Sequence, residues 1–128
     1  MVSTVSSTTT LALAHHVLDT LDVTLRQPVL RANESISNDL QYVQISAQKF
    51  TSRLKQAYSS NEPFTDALIH ELRGPLSVMV GYLELIQEGM AFGDTLDQRS
   101  LNLINNLHTD ALDLCDALDR QYTAENQQ

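Results

Sequence analysis

FTDALIHELRGPLSVMVGYLELI, residues 64–86, is the stretch on which the fold class turns. Phe64, Leu68, Leu72, Leu76, Met79, Leu83 and Ile86 recur at three- and four-residue steps, the spacing of one face of an α-helix. At about 100° per residue His70 falls opposite the middle of that stripe, so its ring points at solvent. Asp66, Gly74, Ser77 and Gly81 share its face. Being mostly small or polar, they form a docking face that another protein can approach closely. Gly74 weakens a helix interior by about 1 kcal/mol relative to alanine. Pro75 lacks an N–H and crowds the carbonyl of Glu71, which predicts a bend one turn beyond the histidine.

The same periodicity extends to either side. Upstream, Ser59-Ser60-Asn61-Glu62 breaks the pattern, and Pro63 predicts the first position of the histidine-bearing helix. Before that break, Ile36, Leu40, Val43, Ala47, Phe50, Leu54 and Ala57 predict a helix running to about Tyr58. Leu11, Ala14, Leu18, Leu21 and Leu25 predict another, interrupted by Pro28. Downstream, the helix is expected to end near Gly89–Gly93. Asp94 or Thr95 then starts a last helix, with Leu96, Ile104, Leu107, Ala111, Leu114, Cys115 and Leu118 on its inner arc. No strand pattern occurs. A lone hairpin cannot bury both sides of its stripe, so the expected fold is all-α, an antiparallel four-helix bundle built from helical hairpins. The domain reading is a disordered, Ser/Thr-rich N-terminus (1–10) in which Thr9 or Thr10 caps the next helix, an N-terminal helical region (11–59), a histidine-bearing hairpin (60–122) and a polar tail (123–128).

At 128 residues the chain suits one domain with a modest core. Sixteen acidic residues against eight basic ones give a formal charge of −8, which disfavours nucleic acid and anionic membrane as partners. No apolar run approaches the length of a membrane span. Residues 1–14 lack the basic start and apolar core of a signal peptide. The single Cys115, on an inner helix face, reads as a buried structural thiol in a reducing, cytoplasmic setting. His15 and His16 are adjacent and point to different helix faces, so no metal site is expected there. His108, at the edge of its arc, reads as a packing residue.

His70-Glu71-Leu72-Arg73-Gly74-Pro75-Leu76, with Phe64 six residues upstream and Gly81-Tyr82 downstream, resembles the H-box of the dimerisation and histidine-phosphotransfer (HisKA-type) domain of two-component sensor histidine kinases. The likeness covers about 23 residues closely and extends more loosely to about Leu118. It implies a histidine kinase dimerisation domain-like fold. It implies also that His70 is the phosphoacceptor, Glu71 the acid/base beside it and Arg73 a phosphate contact. The residue types suit that chemistry. Imidazole is partly neutral near pH 7 and offers a ring nitrogen as nucleophile. A carboxylate next in sequence can bind the other ring nitrogen, and a guanidinium can meet phosphoryl oxygens. The resemblance departs at Gly74, where the family has Thr or Asn positioning the water that hydrolyses a receiver's aspartyl phosphate. That departure puts phosphatase activity in doubt. The family's ATP-binding boxes do not occur in these 128 residues. ATP and Mg²⁺ alone are therefore expected to leave the chain unlabelled, and no cofactor or metal is implied.

Asp19, Leu21, Leu25, Arg26, Pro28 and Val29 align at one constant offset with Asp66, Leu68, Leu72, Arg73, Pro75 and Leu76. In that alignment Val23 and Thr24 stand where His70 and Glu71 do. The first half reads either as a degenerate hairpin that has lost its acceptor or as an upstream helical extension. The assembly is correspondingly a single-chain pseudo-dimeric bundle or a homodimer. Two functions fit. One is a phosphorelay module exchanging phosphate between His70 and a response-regulator receiver domain. The other is a catalytically silent, pseudo-kinase-type module that binds a histidine kinase or a receiver.

Overall fold

The computed structural model describes residues 2–91 and 96–126, with side-chain surroundings for 9–90 and 96–124. Among these the chain forms five α-helices and no strand: α1 (Val2–Leu25), α2 (Pro28–Ala32), α3 (Glu34–Ser59), α4 (Asp66–Ala91) and α5 (Gln98–Asn126). The four long helices close a ring. α1 lies against α3, α3 against α4, α4 against α5, and α5 against α1, with the short α2 bridging α1 to α3. Successive long helices are antiparallel, so this is an antiparallel four-helix bundle, as the periodicity implied.

The stripe of α4 is the centre of the core. Phe64, Leu68, Leu72, Leu76, Met79, Leu83 and Ile86 are all buried. They meet Leu40, Val43, Phe50 and Leu54 of α3, Ile104, Leu107, Leu114 and Leu118 of α5, and Ala14, Val17 and Leu21 of α1 in one apolar cluster. Cys115 is half-buried at its edge, where burial pushes the thiol pKa up.

Local chemistry sets the helix ends, and several differ from the sequence expectation. α4 begins at Asp66 and not at Pro63, because the Thr65 hydroxyl accepts the Leu68 N–H at 3.2 Å. α3 is capped by Asn33, whose side chain accepts from Ile36 N at 3.1 Å. At its other end Asn61 takes φ 53. Asn61 N–H donates to Tyr58 O and Glu62 N–H to Ala57 O, a Schellman closure that asparagine tolerates. α5 starts at Gln98, where Asp97 accepts from Ser100 N. The expected starts at Asp94 or Thr95, and Gly93, lie outside the described residues.

The expected disordered N-terminus is corrected. Residues 2–10 are helical, so Thr9 and Thr10 lie inside α1 and not at its start. At the other end α5 runs to Asn126 and takes in residues 123–126 of the polar tail, while 127–128 lie outside the described residues. Tyr58 donates its hydroxyl proton to buried Gln121 at 2.8 Å, which ties that end of α5 to α3.

The N-terminal half does supply the second hairpin, α1 with α3. The alignment that suggested it is nevertheless not the correspondence the fold uses. Val23 stands at the C-terminal end of α1, where α3 and α5 begin and α4 ends, whereas His70 is in the first turns of α4 at the opposite end. Pro28 opens α2 after a break, whereas Pro75 sits inside an unbroken helix. The buried positions show a different register. Ile36, Leu40, Val43, Ala47, Phe50, Leu54 and Ala57 of α3 match Ser100, Ile104, Leu107, Ala111, Leu114, Leu118 and Gln121 of α5 at one constant spacing.

Candidate functional site

His70 stands on the outward face of α4, one turn after its start, and is exposed. Among the described residues its ring has no hydrogen-bond or ion-pair partner. Gly74, Ser77 and Gly81 continue the same ridge, all exposed. A Cβ added at Gly74 or Gly81 would meet nothing within 4 Å, so the ridge is open. Along α4 two large apolar side chains, Val78 and Leu85, are also exposed, and Tyr82 stacks on Tyr42 of α3 with centroids 5.0 Å apart.

The residues flanking His70 are held by neighbouring helices. Glu71 faces α3, where its Oε2 accepts from Arg53 Nε at 2.5 Å. The same guanidinium grips Glu62 with two nitrogens, Nη1 to Oε2 at 2.6 Å and Nη2 to Oε1 at 3.2 Å. The Schellman turn puts Glu62 there by reversing the chain directly after α3. Glu62, then Glu71, raise the pKa of Arg53, and Arg53 in turn lowers that of Glu62. On the other flank Arg73 donates to Asp119 of α5 at 2.5 Å, and this bond raises the Arg73 pKa. Asp66, one turn before His70, accepts a hydrogen bond from Tyr122 of α5, which holds the phenol pKa above its ordinary value.

Thus His70, Gly74, Ser77 and Gly81 lie exposed along one ridge of α4. Glu71, Arg73 and Asp66 are engaged with α3 and α5, and the structure pairs Glu71 with Arg53, not with the imidazole. Pro75 lies inside α4 and cannot donate to the Glu71 carbonyl. Arg53, Glu62, Asp119 and Tyr122 were not recognised from sequence, because only the register of α3 and α5 against α4 brings them here.

His16 and His108 differ from His70 in facing carboxylates, whereas His15 is exposed like His70. His108 is half-buried, with Nε2 3.1 Å from Glu84 Oε2. His16 lies 3.4 Å from Asp110 of α5, a carboxylate that no sequence spacing had indicated. Among the described residues no group of three or more His, Cys, Asp or Glu is placed to hold a metal. No described helix is long and apolar enough to cross a membrane.

No protein-family model, no curated protein and no solved structure matches the chain. The class defined by the fold and the ridge is a four-helix bundle presenting an exposed histidine on an open ridge of α4.

Proposed function

We propose that this chain is a cytoplasmic phosphorelay module, in which His70 exchanges a phosphoryl group with the receiver domain of a response regulator. The observation that carries the reading is the exposed, unpartnered His70 ring on a ridge left open by Gly74 and Gly81. It is supported by the resemblance of HELRGPL to the H-box and by the bundle architecture. A ring nitrogen attacks the phosphorus of an aspartyl phosphate. The bond from phosphorus to the aspartyl oxygen breaks, its electron pair leaving on the carboxylate, and the proton on the second ring nitrogen passes to a base. The exposed Val78 and Leu85 offer apolar contact to the docked partner.

A second reading, a silent module that binds a histidine kinase or receiver without chemistry, is favoured by the pairing of Glu71 and Arg73 away from the ring. Potassium phosphoramidate, a small phosphoryl donor to imidazole, separates the two. The proposal expects phosphohistidine to form at His70 ahead of the exposed His15, because Gly74 and Gly81 leave its ring open to the donor, and to vanish in His70→Gln, by mass spectrometry of tryptic peptides. Labelling of His70 no faster than His15 would leave the silent module as the better reading.

A further inference from the structure

Arg53 belongs to α3, on the N-terminal hairpin, yet its guanidinium meets the residue next to the acceptor. Two of its nitrogens are committed to Glu62 and the third to Glu71. The Glu62 grip matters because it anchors the guanidinium at the α3–α4 turn. Arg53 therefore cannot follow Glu71 toward the ring. Adjacent residues leave a helix about 100° apart, so a carboxylate drawn to α3 is drawn away from His70. Arg53, Glu62, Leu68 and Glu71 line a cavity of about 360 Å³ that opens beside this contact.

We propose that Arg53 is a positioning residue that latches the His70 site. By holding the Glu71 carboxylate on α3 it withholds the acid/base from the imidazole, and release of that one contact speeds the acceptor. The latch rests on the reading of His70 as phosphoacceptor with Glu71 as its acid/base. When His70 attacks phosphorus, its second ring nitrogen must shed a proton. A free Glu71 accepts that proton, whereas a carboxylate bound to a guanidinium is a poorer base and points elsewhere. A phosphoryl-bearing partner carries the kind of charge that competes for Arg53, so docking itself can open the latch. The N-terminal hairpin thereby acts on the acceptor, through a single side chain.

The test is the initial rate of His70 phosphorylation by potassium phosphoramidate in the full chain, with helicity checked by circular dichroism. Arg53→Gln should raise the rate roughly three- to tenfold, a fraction of what a positioned base contributes. Arg53→Lys, a point charge that cannot fork to both carboxylates, should raise it less, and serves if Arg53→Gln loses helicity. In a Glu71→Gln background, Arg53→Gln should change nothing, a result that mere loosening of the bundle would not give. A rate in Arg53→Gln at or below wild type, with His70 still labelled ahead of His15, overturns the latch and leaves the acceptor reading standing. So does an increase that persists without Glu71. Failure of the unaltered chain to label His70 ahead of His15 removes the acceptor reading, and the latch with it.

Discussion

Leu83 and Leu85 lie two residues apart on α4, and the bundle treats them oppositely. Leu83 is 0% exposed and Leu85 54% exposed. Leu83→Ala removes three carbons from the middle of the stripe, between Met79 and Ile86. At about 0.8 kcal/mol per buried methylene, the transfer loss alone is roughly 2.4 kcal/mol. The void adds to that, since the ring of four helix backbones cannot close over it, and measured Leu→Ala costs in such settings run to about 5 kcal/mol. We expect about 3 kcal/mol, and a thermal midpoint lowered by on the order of 10 °C. Leu85→Ala, by contrast, should stay within about 0.5 kcal/mol. Urea unfolding followed by far-UV circular dichroism, with both variants measured at one protein concentration, reads the difference directly. A cost below about 1 kcal/mol for Leu83→Ala, or equal costs for the two, would refute the placement of this stripe against the core.

Two further outcomes test the packing and the charges. A fragment of residues 60–128 exposes the α4–α5 stripe that α1 and α3 cover in the whole chain. It should dimerise or aggregate in sedimentation velocity, and a stable monomeric fragment would show that the N-terminal hairpin is dispensable. Glu62 has its pKa lowered by Arg53, so its contribution to stability is present above the unfolded carboxylate value and is lost as the pH falls through the lower folded value. Glu62→Gln should therefore flatten the fall in thermal midpoint below about pH 4.5, and an unchanged acid limb would argue against the pair.

Much of the architecture could be read from spacing, and the reasons for the misses are local. All seven stripe residues, Phe64 just before α4 and six within it, are buried and His70 is exposed, because burial follows the helical period wherever apolar residues are dense. The Ser/Thr-rich start was less informative. Threonine is a weak helix former whose hydroxyl competes for the backbone, yet inside this bundle Thr24 and Thr51 donate to Thr20 O at 2.6 Å and Ala47 O at 2.8 Å, and both are buried. Threonines can thus line a helix whose packing decides the matter. The end of the hairpin was hard to read for a similar reason, since Gln121 and Tyr122 look like solvent residues until Tyr58 and Asp66 meet them. For the site, the sequence indicated which residues share the ridge of α4. It could not indicate what Glu71 and Arg73 would touch, because Arg53 and Asp119 stand 18 and 46 residues away and carry no local signature.

Closure of the ring within one polypeptide alters how its stability responds to abundance. Where two chains each donate a hairpin, the folded fraction follows mass action and fades on dilution. Here α3 and α4 are joined by a short turn, which holds the two hairpins at an effective concentration on the order of millimolar however scarce the protein is. Covalent joining also frees the two halves from being identical. The α1–α3 half can drift in sequence without a matching change in α4–α5, so a bundle of this kind can keep one exposed face and give the other to a different task.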